Sequence, residues 1–267
     1  MTASHTLAAD HISLGYNDRQ VVADLSVAIP TAKFTVIVGA NACGKSTLLR
    51  GLARLLAPRS GRVLLDGKSI HSMPTREVAT ILGVLPQTPI APDGIVVADL
   101  VARGRYPHQG WFRRWTAEDD AAVEKALAAT DTLELAQRPV DELSGGQRQR
   151  VWIAMALAQE TGLLLLDEPT SFLDIAHQVE VLDLLTDLVR SSGRTIVAVL
   201  HDLNLACRYA DHLIAMRDGA IIAQGAPAEV VTPRLVADVF GMTSEVVPDP
   251  VSGTPMVVPR GRHHNAA

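Results

Sequence analysis

Three short stretches of this chain carry residue types and spacings suited to phosphate chemistry. Gly39-Ala40-Asn41-Ala42-Cys43-Gly44-Lys45-Ser46 starts on glycine, ends on lysine and serine, and follows the apolar run Phe34 to Val38. Set between a strand and a helix, that pattern forms a concavity of backbone N–H groups for phosphate. Lys45 adds a point charge against the outer phosphates, and the Ser46 hydroxyl is placed to ligate Mg²⁺. Further along, Leu163-Leu164-Leu165-Leu166-Asp167-Glu168-Pro169 reads as a buried strand ending in two acids. An acid there is costly unless it holds a cation or water. Asp167 is the expected outer partner of Mg²⁺, and Glu168 the group that orients or deprotonates an attacking water. Between these lies Ser144-Gly145-Gly146-Gln147, at the start of a helix running to Ala158. Two glycines bring backbone close to an anion, and the helix N-terminus supplies partial positive charge. One phosphate cannot sit at both the Lys45 loop and this one within a subunit unless the lobes fold together.

These residues need a scaffold, and the hydrophobic pattern supplies one. Residues 11–16 and 21–29 alternate as antiparallel strands around a turn at Asn17-Asp18. Residues 34–38 form a strand and 45–56 a helix, which Pro58 to Gly61 breaks. A strand over 62–66 stops at the turn dipeptide Asp66-Gly67, and another covers 81–85. From Thr88 to about Gln159 the texture turns helical, over 96–103, 117–130 (capped by Thr116) and 147–158. Strands resume at 163–167, 195–200, 213–216 and 220–224, with helices at 175–190 and 203–210. That alternation predicts a largely parallel α/β sheet with a helical subdomain inserted.

Composition narrows the partners. The net charge of −5 argues against bulk attraction to nucleic acid. No apolar run reaches the ~20 residues of a membrane span, and Met1 to Asp10 lacks the pattern of a secretory signal. A membrane role therefore has to come through a partner. Cys43 and Cys207 are too few for a disulfide framework and read as free thiols.

The Leu143-Ser144-Gly145-Gly146-Gln147-Arg148-Gln149-Arg150 stretch, with the loop and the acid pair, resembles the ATP-binding cassette (ABC) ATPases from Leu14-Gly15-Tyr16 to about Val258. The resemblance implies an α/β fold: a P-loop NTPase core with a parallel-sheet RecA-like lobe, an N-terminal antiparallel β-subdomain and an inserted α-helical subdomain. Residues 1–258 would form one nucleotide-binding domain, with the helical part at 88–159 and a flexible tail at 259–267.

It also implies roles. Tyr16 stacks on adenine, Thr47 contacts the α-phosphate, and Gln87 touches Mg²⁺ or the attacking water. Ser171-Phe172-Leu173-Asp174 matches the dimer-contact loop, and His201 the switch histidine on the γ-phosphate. In the family, Ser144 and Gly146 of one subunit meet the γ-phosphate held by the other in a head-to-tail homodimer; Gly145 and Gln147 belong to the same contact. Cofactors would be ATP and Mg²⁺. Where the family usually has Pro and Gly in the loop, this chain has Ala40 and Ala42. If position 42 takes positive φ, Ala costs roughly 1 kcal/mol relative to Gly.

Finer texture resembles the importer ATPases for iron–siderophores, haem and cobalamin, most of all the ferric-siderophore type. It lies in Arg103 to His108, Trp111 to Trp115, Thr170 to Gln178, Leu200 to Ala206 and Gly225 to Gly241. The implied partners are two transmembrane permease subunits and, indirectly, a periplasmic or lipoprotein substrate-binding protein, with no nucleic acid. The protein would sit peripherally on the cytoplasmic face of the cell membrane. Arg103, Arg105, His108, Arg113 and Arg114, interleaved with Trp111 and Trp115, read as a basic patch for permease loops or acidic headgroups. Haem and cobalamin import are the alternative cargoes, and export remains open. A soluble ABC ATPase acting on DNA or ribosomes is disfavoured by the short intervening lobe and single cassette. His263-His264 makes no case for metal.

Overall fold

Alternating burial drives the first hairpin. In the computed structural model, which describes residues 5–109 and 115–261, β1 (Leu7–Tyr16) and β2 (Arg19–Ile29) pair antiparallel, with Tyr16 opposite Arg19 across the Asn17-Asp18 turn. Leu7, Ala9, Ile12 and Leu14 point inward from β1. β3 (Phe34–Gly39) is buried at every position, the continuous apolar pattern of a strand covered on both faces. It leads through the glycine-bounded loop into α1 (Lys45–Leu52). That helix ends earlier than its apolar spacing suggested. Arg54 takes a left-handed φ of 62°, and the Leu55 and Leu56 N–H groups turn back to the Arg50 carbonyl. β4 (Ser60–Leu65) and the short β5 (Lys68–Ser69) close a hairpin through Asp66 and Gly67, both at positive φ, as a two-residue primed turn requires. The order in this sheet is β2-β1-β4-β5.

α2 (Thr75–Ile81) follows Pro74 and runs straight into β6 (Leu82–Leu85). The helical stretch holds α3 (Val97–Ala102), α4 (Ala117–Ala129) and α5 (Gly145–Ala158), and a 3₁₀ segment, Arg103–His108, continues α3. β7 (Leu163–Asp167) pairs parallel with β6, and α6 (Ile175–Ser192) follows it. After β8 (Thr195–Val199) come α7 (Leu203–Tyr209), β9 (His212–Arg217) and β10 (Ala220–Gly225). β9 lies parallel to β3 and antiparallel to β10. The chain then forms α8 (Pro227–Val230), α9 (Pro233–Phe240) and an antiparallel hairpin, β11 (Ser244–Pro248) with β12 (Pro255–Pro259).

Two compact units result. One is built from Ser72–Ile196, and the other from Thr6–His71 with the described chain from Val197 to Gly261. The first holds the helices α2 to α6 and the β6/β7 pair. The second holds the antiparallel sheet, the β3/β9/β10 strands and the C-terminal hairpin. No helix among the described residues is long and apolar enough to cross a membrane.

The first unit corrects the reading of the basic segment. Arg105 is not on the surface: it is buried and donates to Asp119 Oδ1 (3.0 Å), the Ala158 carbonyl (2.8 Å) and Glu160 Oε2 (2.9 Å). The His108 ring donates from Nε2 to the Gln159 carbonyl at 2.7 Å. These side chains satisfy carbonyls that the C-terminal end of α5 would otherwise leave without donors. Arg103 is exposed; Trp111, Phe112, Arg113 and Arg114 lie outside the described residues. The C-terminus differs as well. Pro259 pairs with Ser244 and the Arg260 N–H bonds the Thr243 carbonyl at 2.9 Å, so the chain is held at least that far. His263-His264 lies outside the described residues, as does the start of the N-terminal stretch.

Candidate functional site

In the second unit the loop after β3 is shaped by close approaches. A Cβ on Gly39 would lie 2.2 Å from the Met216 carbonyl oxygen and 2.8 Å from Cys43 Sγ, so only glycine fits. Gly44 takes φ 106° and begins α1, with Leu48 N–H donating to its carbonyl at 2.8 Å. The β9–β10 turn braces the loop from outside, its Gly219 N–H bonding the Cys43 carbonyl at 2.8 Å. A Cβ on Gly219 would stand 1.9 Å from the Val21 carbonyl oxygen, so this brace also depends on glycine. Ala42 does adopt positive φ, 60°, which makes the anticipated strain real. Lys45 is buried, and its Nζ donates to the carbonyls of Gly39 and Ala40, each at 2.9 Å. Its ammonium is therefore arched over the loop. Asn41 and Ala42 are exposed, Ala40 and Ser46 half-buried, Cys43 and Thr47 buried. Cys43 contributes packing and backbone to the loop.

Two more expected residues belong to the same unit. Tyr16, at the end of β1, is 41% exposed, and its hydroxyl accepts from Arg50 Nη1 at 3.2 Å. His201 follows β8 and is exposed. The Leu200 N–H bonds the Ile37 carbonyl at 3.2 Å, so the strand end carrying His201 runs beside the strand that delivers Gly39.

The first unit gathers the remaining residues. β7 is buried throughout, ending in Asp167 at 2% exposure. Glu168 is half-buried at φ 56°, a left-handed conformation that costs about 1–2 kcal/mol for a residue with a Cβ. Its Oε2 accepts from Ser171 Oγ at 3.0 Å. In the parallel pair Leu85 faces Leu166, so Gln87, in the bend after β6, leaves the same strand end as Asp167 and Glu168.

Ser144 caps α5 in a reciprocal box. Its Oγ accepts from Gln147 N–H at 3.2 Å, and its own N–H donates to Gln147 Oε1 at 3.1 Å. Gly145 and Gly146 lie against the 171–174 loop: a Cβ on Gly146 would be 3.3 Å from Leu173 Cδ2, and one on Gly145 3.7 Å from Phe172 Cβ. Phe172, at φ 66°, is 80% exposed at the loop's tip. Asp174 caps α6, accepting from the His177 N–H at 3.0 Å, with His177 Nδ1 at 2.7 Å. The His177 backbone and ring contacts hold the Asp174 carboxyl below the usual carboxylate range.

Gln149 lies in the Leu143 to Arg150 stretch but was given no role of its own from sequence. Buried within α5, it donates from Nε2 to the Pro169 carbonyl at 3.1 Å, tying that helix to the residue after Glu168. Its only signal was a polar residue on the buried face of that helix.

A protein-family model described as ABC transporter matches residues 22–171. The chain is 56% identical over 256 residues to the protein named probable siderophore transport system ATP-binding protein of Bacillus subtilis (strain 168), covering 96% of this chain and 93% of that one. It is 55% identical to the ferric enterobactin transport ATP-binding protein of Escherichia coli (strain K12), over 96% of this chain and 94% of that one. Among solved structures, a metal-chelate type ABC transporter in an inward-facing conformation aligns with TM-score 0.82 and 29% identity, covering 97% of this chain and 98% of that chain.

Proposed function

The chain belongs to the ABC transporter family, and on that premise we propose that it powers uptake of ferric siderophores through a partner permease. It is an ATP-binding and ATP-hydrolysing transport subunit. The observation that carries the cargo is identity above one half, along nearly the whole chain, to the two siderophore-transport proteins.

The chemistry follows from the residues. The loop amides of residues 39–44 and the start of α1 hold the phosphates of ATP, and Lys45 exchanges the Gly39 and Ala40 carbonyls for phosphate oxygens. Ser46, with Asp167 as an outer partner, would offer Mg²⁺ hard oxygen donors, and Gln87 would touch that cation or the attacking water. When bound, that cation neutralises charge on the β- and γ-phosphates. Glu168 orients a water whose oxygen attacks the γ-phosphorus, and takes its proton as the bond to the bridging oxygen breaks, giving ADP and phosphate. His201 holds the γ-phosphate, Thr47 the α-phosphate, and Tyr16 stacks on adenine. Ser144, Gly145, Gly146 and Gln147 serve the γ-phosphate of a second copy in a head-to-tail homodimer. Exposed Phe172 and Ile175, each 80% exposed, suit burial in that dimer. Two permease subunits would dock this dimer at the cytoplasmic face of the membrane, with a substrate-binding protein delivering cargo outside.

The test is radio-iron uptake from ferric siderophores in cells carrying native protein or Lys45→Ala. Loss with Lys45→Ala, restored by the native protein, supports the reading. Unchanged iron uptake alongside lost uptake of haem or cobalamin transfers the cargo to that compound.

A further inference from the structure

The run after the switch histidine, Asp202-Leu203-Asn204-Leu205-Ala206, has no role in the chemistry above, and neither has the C-terminal hairpin. The structure joins them. Asn204 Oδ1 accepts from the Val257 N–H at 2.7 Å, and its Nδ2 donates to the Val257 carbonyl at 3.2 Å. Its side-chain amide thus bonds β12 as a neighbouring strand would, satisfying both backbone groups of one residue. One turn further along α7, Arg208 Nη2 donates to Asp249 Oδ2 at 2.6 Å. Asp249 is buried, and its other oxygen accepts from the Val251 and Ser252 N–H groups, which closes the β11–β12 loop. The Arg208 contact, with the Val251 and Ser252 N–H groups, brings the Asp249 carboxyl down to about 2, so the pair is ionised near neutral pH.

α7 needs such support. It spans only Leu203–Tyr209, too short to be stable alone, and buries only Ala206 and Cys207. Asp202 caps it through the Asn204 and Leu205 N–H groups, at 2.8 and 2.9 Å. His201 therefore lies between a strand end tied to β3 and a helix whose position is set by the hairpin. From this geometry we infer that the C-terminal hairpin is a clamp on α7, and that Asn204 and Arg208 are positioning residues for His201. The inference rests on the reading of His201 as a γ-phosphate contact.

The test uses the full chain labelled with ¹⁵N-histidine, with the His201 ring signal identified by its absence in His201→Ala. Asn204→Leu and Arg208→Met shift or broaden that signal, and Arg208→Lys restores it towards native. In the same variants kcat for ATP falls at least ~5-fold while the Kd for ATP stays within about twofold, because only the γ-phosphate contact is displaced. If Asn204→Leu does not fold, Asn204→Asp keeps the acceptor for Val257 N–H but sets an oxygen against the Val257 carbonyl, and shifts the signal in the same way. Folded variants with a native His201 signal and native kcat, melting at lower temperature only, would overturn the clamp and leave a stabilising strap. If His201→Ala itself hydrolyses ATP normally, the role given to His201 fails, while its ring signal in the other variants still reports the clamp.

Discussion

Replacing Arg105 with Met tests whether this arginine is a buried tie or a surface charge. Its side chain is 5% exposed and that of its partner Asp119 0%, whereas the Glu160 side chain is 42% exposed. The Glu160 pair is close to a surface bridge, worth at most about 1 kcal/mol. The main loss is at Asp119, whose Oδ1 loses the guanidinium while Oδ2 keeps the Thr116 N–H (3.1 Å) and hydroxyl (3.0 Å). Breaking a buried pair by removing one partner costs about 3–5 kcal/mol, and the surviving Thr116 bonds place this case near 3. For a chain of this size that lowers Tm by roughly 6–12 °C.

The pH dependence has a definite sign. Burial alone raises the Asp119 carboxyl, but the Arg105 hydrogen bond and the Thr116 donors outweigh it, and the net shift is downward. Its contribution is complete above the unfolded value of about 3.9 and is lost as pH falls through the native one. In Arg105→Met the burial penalty acts against fewer donors, so the deficit relative to wild type narrows as pH drops from 7 towards 4. Adding Asp119→Asn should recover at least ~1 kcal/mol of that deficit through coupling. Thermal melts of the four proteins at pH 7 and pH 4.5 check this. A loss under about 1 kcal/mol at pH 7, or a deficit that widens in acid, refutes the buried tie.

Ala42→Gly relieves a left-handed Cβ and, after the entropy glycine adds to the unfolded chain, gains up to about 1 kcal/mol with ATP affinity kept or slightly tightened; isothermal titration and melts check it, and a large loss of affinity contradicts the backbone argument. Glu168→Gln keeps an oxygen for the Ser171 hydroxyl and so leaves ATP binding intact, while kcat drops about 10²-fold or more; near-native turnover in a phosphate-release assay would remove Glu168 from the mechanism. Gln149→Leu strands the Pro169 carbonyl, costing about 1–3 kcal/mol, and lowers kcat more than it raises KM; a fall in Tm with native kcat would make Gln149 structural only.

Much of the scaffold was legible because its signals are local. Asn17-Asp18 and Asp66-Gly67 are turn dipeptides, and the apolar run of β7 reads as a buried strand without any tertiary information. The 39–46 stretch marked a phosphate loop between strand and helix, and Ser144-Gly145-Gly146-Gln147 marked the start of a helix. What escaped depends on distant partners. Arg105 in a segment rich in arginine looks solvated; only the fold brings Asp119 and Glu160 to it. α2 went unrecognised because it abuts β6 with no loop between them. The segment from Pro227 to Pro259 is cut by prolines into elements too short to carry a period, and the hairpin is defined by its bonds to Asn204 and Arg208. The end of α1 depends on Arg54 adopting a conformation that its side chain does not advertise.

The reciprocal cap at Ser144 also bears on how variation at this position would be tolerated. The serine oxygen spends a lone pair on the Gln147 N–H, which leaves its hydroxyl proton free to be donated elsewhere. Folding thus asks only for an acceptor, whereas the proposed work on a neighbour's phosphate asks for a donor. Asp or Asn at 144 would meet the first demand as well as Ser does; Asp, having no proton to give and bringing a negative charge, would fail the second. Selection for a well-folded chain is blind to that difference. A library screened for folding alone should therefore accumulate Ser, Asn and Asp at 144, and one screened for transport should discard Asp.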